Sequence, residues 1–416
     1  MSKSEKQREF ALQVVRQLRD AGHEALWAGG CVRDQLLGLV PKDYDVATSA
    51  LPEQVRELFG RRRTLSLGAA FGVISVLGRN DSIEVATFRT DGPYVDGRHP
   101  QQVCFSTPEH DAQRRDFTIN GLFFDPHTEQ VIDYVDGRQD LQRRVVRAIG
   151  DPSQRFDEDK LRMLRAVRFA TTFEFQIDED TLAAIRAMAE QVNVVSAERI
   201  GAELKKILEH RQRSRGVQLL VDAELLQPLL PEVVELLKNQ PQQWQETLSG
   251  LQRLAKAQLP VALAALLTGI DGATAVGAIG RRLRFSNREI DRASWLVGSL
   301  PLVAQADRLD WPQLQRVLVH DGVSDLMHLA EAMLGADHLG VEFARQRLAL
   351  PTEQLDPEPL ITGADLLALG LKPGPEFSRV LEHVRDRQLT DQLANTQEAL
   401  AEVKRWIAEG SDPDTR

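Results

Sequence analysis

Two aspartates, Asp43 and Asp45, stand two residues apart in the segment KDYDVAT. On a β-strand, side chains two residues apart point to the same face, so both carboxylates would lie together. Such a pair suits Mg²⁺, a hard cation that takes few protein oxygens and shares its remaining positions with substrate phosphates. An isolated pair of this kind is also common on ordinary protein surfaces. The residues around it therefore decide between the two interpretations.

The residues before this pair supply groups that bind phosphate. The segment LWAGGCVRDQLLG is typical of a short apolar strand, a turn at Gly29 and Gly30, and a helix from about residue 31 to residue 37. The backbone of Gly30 can approach a triphosphate closely, the helix N-terminus attracts anions, and Arg33 adds a charge-assisted hydrogen bond. This order predicts a phosphate-binding turn that leads directly to a metal site.

Further polar residues follow in the same half of the chain. Glu84, on an amphipathic strand in IEVATF, either completes the carboxylate set or faces solvent. The polar segment 90–112 contains two glycines and three prolines, and we expect it to form a long mobile loop. The segment RRDFTIN then places Arg115, Asp116 and Asn120 around apolar residues, and a loop that enters a helix would explain each of them singly.

The segment RFDEDKLRMLRAVRFA repeats charged side chains at every third residue: Asp159, Arg162, Arg165 and Arg168. This spacing predicts that they follow one side of a single helix, where salt bridges are their ordinary use. An aspartate beside an arginine can also read a nucleobase. A carboxylate accepts from the exocyclic amine of cytosine or adenine, and a guanidinium donates to their ring acceptors. Uracil and guanine would place a carbonyl oxygen against the carboxylate, at a cost of ~1–3 kcal/mol or more.

The elements that must hold these residues form an α/β region followed by helices. Six apolar runs of strand length alternate with helical periods up to residue 134: 25–28, 44–47, 72–77, 83–88, 122–124 and 131–134. From about residue 156 the pattern is helical, interrupted by proline-containing loops. We expect an α/β head with a mixed sheet over residues 1–150. An all-α neck over 151–215 and an all-α body and tail over 216–416 would follow.

The composition is that of a globular protein and narrows the environment. Among 416 residues, 42% are hydrophobic and 27% charged, and no apolar run approaches the ~18 residues that a membrane span needs. Two cysteines provide neither a disulfide framework nor a cysteine-based zinc site, which favours a reducing cytoplasm. A net charge of −10 argues against broad nonspecific binding of nucleic acid, yet arginine clusters in the N-terminal half leave room for a local basic face.

Taken in order, five segments resemble the successive motifs of class II tRNA nucleotidyltransferases, the CCA-adding enzymes. They are GGCVRDQLLG with DYDVAT, RRDFTIN, DYVDGRQDL with RAIGDP, RFDEDKLRMLRAVRFA, and SAERIGAEL, within residues 20–210. That family belongs to the DNA polymerase β nucleotidyltransferase superfamily and shares its head with bacterial poly(A) polymerases. The resemblance implies template-independent addition of C, C and A, from CTP and ATP, to the 3′ end of tRNA.

The resemblance assigns roles within the head. Gly30 and Arg33 would contact the triphosphate, and Asp43 and Asp45 would bind Mg²⁺ ions in two-metal nucleotidyl transfer. Glu84 is a candidate third catalytic carboxylate. The segment 90–112 would correspond to the flexible loop that family members use when they add the final A.

Further roles concern the nucleotide and the RNA. Arg115 would touch the nucleotide, while Asp116 and Asn120 would shape its sugar pocket. The neck would recognise the base through four residues: Asp159 and Arg162 as readers, and Arg165 and Arg168 as their supports. One enzyme must serve every tRNA, so we expect recognition by shape at the acceptor and T arms, with the helical body and tail taking part.

Other functions remain open from the sequence. Poly(A) polymerase shares the motifs, although this chain lacks an obviously basic C-terminal extension. A nucleotidyltransferase specialised for CC or for A addition is closer still, and a non-enzymatic RNA-binding module would have no use for both aspartates. The sequence VHDG at His320 and Asp321 suggests a metal-dependent phosphohydrolase, but we find no further ligands at suitable spacing.

Overall fold

The computed structural model describes residues 3–68, 71–79, 81–92, 103–270 and 272–408. These residues group into two compact units. The first comprises Met1–Asn239 with Arg282–Phe285, and the second comprises Gln240–Arg281 with Ser286–Arg416. Among the described helices, none is both long enough and apolar enough to cross a membrane.

A seven-stranded mixed sheet forms the N-terminal part of the first unit. Its strands lie in the order β3-β4-β5-β2-β1-β8-β9, and only β2 and β5 pair in parallel. Their bounds are β1 Ala25–Ala28, β2 Asp45–Thr48, β3 Thr64–Gly68, β4 Val73–Leu77, β5 Ser82–Thr87, β8 Phe123–Asp125 and β9 Gln130–Ile132. Two small sheets accompany it: antiparallel β6 Arg89–Asp91 with β7 Val103–Phe105, and parallel β10 Val145–Val146 with β11 Gln176–Ile177.

Burial explains why the central strands form here. All four residues of β1 are buried, as expected for a strand between two neighbours with both faces covered. Strands β4 and β5 lie nearer the edge and alternate buried with more exposed side chains. One core cluster joins the sheet to its surroundings through Leu26, Ala28, Ala47, Phe88, Ala112 and Phe123.

Helices surround the sheet and continue beyond it. Those of the first unit are α1 Lys3–Asp20, α2 Gly30–Leu36, α3 Pro52–Phe59, α4 Pro108–Gln113, α5 Gly137–Arg143, α6 Pro152–Glu158, α7 Leu161–Phe173, α8 Glu179–Met188, α9 Ala197–Glu209, α10 Arg213–Asp222, α11 Leu226–Leu229 and α12 Pro231–Asn239. A 3-10 turn at Thr118–Asn120 follows α4.

After residue 240, the regular elements formed by the described residues are helices, joined by loops. Its helices are α13 Pro241–Arg253, α14 Leu259–Leu266, α15 Gly272–Arg282, α16 Asn287–Ala304, α17 Trp311–Leu318, α18 Val323–Leu334, α19 Leu339–Leu348, α20 Thr352–Leu355, α21 Gly363–Ala368, α22 Pro375–Leu389 and α23 Thr396–Ala408. One apolar cluster packs α21, α22 and α23 together through Leu366, Val380, Val384, Ala399 and Val403.

The predicted fold class is confirmed: a mixed sheet with helices precedes a largely helical region. Each of the six apolar runs contributes a strand, and every strand end lies within two residues of the expected one. Sequence analysis missed β3, whose residues TLSLG follow three exposed arginines and lie at the edge of the sheet. The division into head, neck, body and tail stays a prediction.

The single loop expected over residues 90–112 is wrong at both of its ends. Thr90 lies in β6, residues 103–105 form β7, and α4 begins at Pro108 with Thr107 as its N-cap. Pairing of β6 with β7 supplies the backbone hydrogen bonds that a loop would leave to water. Residues 93–102, the middle of the expected loop, lie outside the described residues.

Candidate active site

The turn between β1 and α2 brings backbone close to side chains that the sequence places far away. Gly29 has a φ of 69° and a ψ of −120°, a conformation that side chains rarely adopt. A Cβ on Gly29 would lie 2.8 Å from Nη1 of Arg115 and 3.5 Å from the carbonyl oxygen of Asn120. The backbone conformation therefore favours glycine here, and a larger residue would also displace the Arg115 guanidinium.

Arg33, in the middle of the short helix α2, is fixed from two sides. Its Nε and Nη2 donate to Oδ1 of Asp34 at 2.9 and 2.7 Å, and its Nη1 donates to Oδ1 of Asn120. Only 8% of Arg33 is exposed. Because both partners hold the same guanidinium, its cationic group is oriented before any anion arrives.

The paired aspartates lie at the start of β2. Asp45 is the first residue of the strand and Asp43 precedes it, while Tyr44 and Val46 are buried. Both aspartates are exposed, which agrees with side chains alternating between buried and open faces. Asp45 pairs in register with Glu84 of the parallel neighbour β5, so Glu84 lies beside the aspartates on an adjacent strand.

This arrangement raises the pKa of the Asp45 carboxyl to about 6. Although Asp45 as a whole keeps exposed surface, desolvation of its carboxyl by the surrounding protein atoms contributes most, and the negative charges of Asp43 and Glu84 add to it. The Arg115 guanidinium opposes the shift without cancelling it. Three acidic groups therefore repel one another at this edge of the sheet, a repulsion that a divalent cation would relieve.

The residues fit a hard cation whose coordination positions are filled partly by the protein and partly by a substrate. In the part of the chain that the structure describes, no group of three or more His, Cys, Asp or Glu side chains is placed to hold a metal by itself. Mg²⁺ sites with one or two carboxylates complete their coordination with phosphates and water. The two aspartates match that kind of site, and Glu84 remains a candidate third carboxylate.

Arg115 forms a second cationic wall of the site. Its Nε and Nη2 donate to Oδ2 of Asp111 at 3.2 and 2.9 Å, and its Nη1 donates to the carbonyl oxygen of Asn120 at 3.2 Å. Asp111 is 1% exposed, and burial would raise its pKa, but Arg115 and Arg114 outweigh burial and lower it. Asp111 is not among the site residues predicted from the sequence, although it lies three and four residues before Arg114 and Arg115, a spacing that favours ion pairs on a helix.

Asp116 joins the sheet region to α7. Its Oδ1 accepts from Nδ2 of Asn120 at 2.9 Å, and its Oδ2 accepts from Nε and Nη2 of Arg165 at 2.9 and 2.5 Å. Burial would raise the pKa of Asp116, but the charge of Arg165 and these hydrogen bonds hold it at about 2. The carboxylate is ionised and fully engaged, which makes it a rigid support for the pocket around it.

The charged residues from 159 to 168 do not all lie on one helix, as their spacing predicted. Asp159 has an extended backbone, with φ −153° and ψ 104°, between the end of α6 and the start of α7. Its Oδ1 accepts from the backbone N–H of Leu161 at 3.1 Å, and its backbone oxygen accepts from that of Arg162 at 3.0 Å. The helix breaks here because Asp159 uses its acceptors to begin α7.

Asp159 and Arg162 each contact another partner. Nη1 and Nη2 of Arg199 donate to the two carboxylate oxygens of Asp159 at 3.2 and 2.6 Å. Arg162 forms an ion pair with Glu158 and donates to the carbonyl oxygen of Arg155 at 2.9 Å. Arg199 lies in the SAERIGAEL segment but is not among the site residues predicted from the sequence. A cation in the first turn of α9, where the helix dipole disfavours it, was the available signal.

Ten of the twelve predicted site residues line one cavity of about 550 Å³, which we call the nucleotide cavity. Its lining residues are Gly29, Gly30, Arg33, Asp45, Arg114, Arg115, Asp116, Asn120, Asp159, Leu161, Arg162, Arg165, Arg168, Phe169 and Arg199. Asp43 and Glu84 are not among them. Seven arginines against three aspartates give the lining an excess of positive charge, which suits a polyanion such as a triphosphate.

The phosphohydrolase suggested by VHDG gains no support from the geometry. The His320 ring stacks on Trp295 with centroids 3.8 Å apart, and its Nδ1 accepts from the backbone N–H of Gly322 at 3.0 Å. Asp321 pairs with Arg292 at 3.1 Å. Both residues are therefore used in local packing, and the described residues hold no metal-binding group around them.

Fold and site together define a class of protein. The molecule has a mixed sheet with carboxylates on neighbouring strands, beside an arginine-lined cavity. These features and the head-domain match identify a polymerase β-like nucleotidyltransferase, a class that typically uses a divalent metal. Three family descriptions match the chain: "Poly A polymerase head domain" at residues 25–147, "Probable RNA and SrmB- binding site of polymerase A" at 174–237, and tRNA nucleotidyltransferase domain 2 at 259–403.

Whole-chain relatives narrow the class. The CCA-adding enzyme of Levilactobacillus brevis is 34% identical over 396 residues, covering 94% of this chain and 96% of that one. That of Latilactobacillus sakei is 35% identical over 399 residues, with the same shares. The chain belongs to the family of CCA-adding enzymes.

Solved structures agree in fold. The Bacillus stearothermophilus CCA-adding enzyme in complex with CTP superposes with a TM-score of 0.77 at 27% identity, covering 99% of this chain and 100% of that one. The Thermotoga maritima CCA-adding enzyme, solved with tRNA, gives a TM-score of 0.65 at 21% identity, covering 96% and 95%. At that identity the second comparison bears on the fold alone.

Proposed function

We propose that this chain adds C, C and A to the 3′ end of tRNA, taking the nucleotides from CTP and ATP without a nucleic-acid template. The observation that carries the proposal is the nucleotide cavity. It combines a glycine turn, an arginine-rich lining and an aspartate–arginine pair suited to cytosine and adenine. A polymerase that reads a template would have no use for such a pair within its own chain.

Residues of the sheet region would bind the triphosphate and the sugar. The close approach of backbone at Gly29 and Gly30, together with the fixed cation of Arg33, favours phosphate oxygens at this turn. Arg115 faces the same turn and would neutralise further negative charge. Asp116 and Asn120, hydrogen-bonded to each other, would shape the sugar pocket.

Asp43 and Asp45 would hold Mg²⁺, with Glu84 as a candidate third carboxylate. When bound, such ions favour loss of the proton from the RNA 3′-hydroxyl and stabilise the departing pyrophosphate. The contribution of the chain is to keep these carboxylates on adjoining strands and to place the arginines where negative charge accumulates.

Asp159 and Arg162 would read the base. The carboxylate of Asp159 is oriented by Arg199 through both oxygens, and its Oδ1 also accepts from the backbone N–H of Leu161. Oδ2 is therefore the oxygen that keeps a lone pair with which it can accept from an exocyclic amine. Arg162 would donate to the ring acceptors of cytosine and adenine after exchanging its present contacts. Arg165 and Arg168, which line the same cavity, would support the pair and the phosphates.

The RNA would be tRNA, held at its acceptor and T arms by shape. Support comes from solved relatives of this fold, one of which is described with tRNA. The helical body and tail would take part in this binding. Poly(A) synthesis is the nearest alternative because the head domain is shared, but the two whole-chain relatives reported above are CCA-adding enzymes.

Incubation with tRNA that lacks its 3′ CCA tests the proposal. Products are resolved to single nucleotides with CTP alone, ATP alone and both together. We expect two added nucleotides with CTP alone and three with both. A long adenosine tract with ATP alone would identify a poly(A) polymerase instead. If only two nucleotides are added when both CTP and ATP are present, the chain is a CC-adding enzyme. If one nucleotide is added to tRNA that ends in CC, but none to tRNA that lacks CCA, it is an A-adding enzyme.

A further inference from the structure

Three arginines of the nucleotide cavity converge on one aromatic ring, that of Phe169 on α7. The Cζ atom of Arg168 lies 3.9 Å from the ring centroid, that of Arg165 at 5.2 Å and that of Arg33 at 5.3 Å. All three distances are within the range in which a cation is attracted by the electrons of an aromatic ring. Phe169 is 5% exposed and itself lines the cavity, so these contacts are largely shielded from water.

The ring is the contact that the three arginines share. Each has a carboxylate partner of its own: Asp34 for Arg33, Asp116 for Arg165 and Glu203 for Arg168. Arg33 and Arg165 are also linked by hydrogen bonds, because Asn120 accepts from Arg33 and donates to Asp116, the partner of Arg165. Phe169 is the group that contacts all three guanidinium groups directly: that of Arg33 from α2, and those of Arg165 and Arg168 from α7.

Other aromatic residues fix the position of this ring. Phe117, fully buried, meets Phe169 edge to face with centroids 5.7 Å apart and an interplanar angle of 77°. Phe173 lies nearly parallel to it at 6.1 Å and 11°, and Arg33 also lies 4.4 Å above Phe173. Because neighbours restrain it on several sides, the ring can impose a position on the arginines instead of following them.

We propose that Phe169 is a positioning residue. It sets the distance between the guanidinium of Arg33, which would contact the triphosphate, and those of Arg165 and Arg168 on α7. The inference rests on the proposed function, because it assigns Arg33, Arg165 and Arg168 to the bound nucleotide. The attraction depends on the electrons of the ring, whereas an ordinary core phenylalanine would act through its shape and apolar area. The two roles can be distinguished by changing the electron density of the ring while its shape is kept.

Fluorinated phenylalanines at position 169 provide the test. Successive fluorines weaken the negative face of the ring and pentafluorination reverses it, while the shape changes little. We measure KM and kcat for CTP and ATP with Phe, 4-fluoro-, 3,5-difluoro- and pentafluorophenylalanine at this site in the full chain. The logarithm of KM should rise steadily along the series, by about tenfold in total, with little change in kcat.

Phe156 supplies a matched control. It is fully buried in α6, and within the described residues no guanidinium lies over its ring. The same series at position 156 should leave KM unchanged. Phe169→Leu, which keeps an apolar side chain but removes the ring, should also raise KM, because the attraction between the ring and the guanidinium groups is lost.

The possible outcomes separate this inference from the proposed function. If KM stays constant along the fluorinated series at position 169, in a protein that still adds CCA, the positioning role is refuted and the proposed function is unaffected. A parallel rise at positions 156 and 169 overturns it as well, because fluorination would then act through general packing. Failure of the unmodified chain to add CCA would refute the proposed function, and the role assigned to Phe169 would fall with it.

Discussion

Removal of the Arg199 side chain should weaken the choice of base more than it weakens the reaction. Both guanidinium nitrogens of Arg199 donate to the carboxylate of Asp159, at 3.2 and 2.6 Å. The side chains are 23% and 15% exposed, so water competes only in part. Hydrogen bonds to charged groups contribute ~1.5–3 kcal/mol. We assign about half of this energy to holding the Asp159 carboxylate in one orientation.

In Arg199→Ala the carboxylate of Asp159 keeps its charge and its contact with the backbone of Leu161. It loses the bidentate partner that selects one rotamer. Discrimination against UTP and GTP should therefore fall by about tenfold, which corresponds to ~1.4 kcal/mol. Asp159→Ala and Arg162→Ala, which remove a reading group itself, should reduce it by roughly one to two orders of magnitude.

The assay measures kcat/KM for each of the four nucleoside triphosphates on a tRNA that ends at its discriminator base. Arg282→Ala is a matched control, because Nη1 and Nη2 of Arg282 donate to the two carboxylate oxygens of Glu232 at 2.7 and 2.9 Å, outside the nucleotide cavity. It should keep the selectivity of the wild type. If Arg199→Ala lowers the rate equally for all four substrates, orientation of Asp159 does not determine base choice.

Three further outcomes are expected. Asp43→Ala or Asp45→Ala should abolish nucleotide addition in Mg²⁺ while leaving the circular dichroism spectrum and the melting temperature close to those of the wild type. Normal addition by either folded variant contradicts the metal assignment. Because the folded pKa of Asp116 is about 2, below its ordinary value of 3.8, its ionised form stabilises the fold above about pH 4. Asp116→Asn should lower the free energy of urea unfolding by about 2 kcal/mol at pH 7, and the difference from the wild type should narrow as pH falls from about 4 towards 2. A difference independent of pH would refute this charge argument. Binding of tRNA should weaken with salt, with a slope set by the few phosphates contacted, and equal affinity for unstructured RNA of the same length would count against recognition by shape.

The sequence was sufficient for the parts of the site that depend on local order. Gly30, Arg33 and Asp45 follow one another along a strand, a turn, a helix and a second strand, and each of these elements has a strong local pattern. Asp159 shows the limit of such patterns. Spacing of three residues fits a helix, but a side chain that hydrogen-bonds nearby backbone N–H groups can end one helix and begin another.

Partners distant in sequence could not be predicted from periodicity. Arg199 reaches Asp159 across 40 residues, and Arg165 reaches Asp116 across 49. Phe169 looked like an ordinary apolar position of α7, because a helical pattern reports burial and not the charges above a ring. These contacts depend on how helices pack on the sheet, which a single sequence does not encode locally.

The strand order has a consequence for how the protein is made. Trp27 of β1 pairs with Val46 of β2, only 19 residues later, but with Phe124 of β8 across 97 residues. While the chain leaves the ribosome, the nearer pairing is available early and the distant one must wait, because closing a long loop has to precede the contacts that repay it. Asn120 and Arg115, which enclose Gly29, emerge in that late stretch. The turn at Gly29 and Gly30 thus acquires these neighbours only when roughly the first third of the chain has been synthesised.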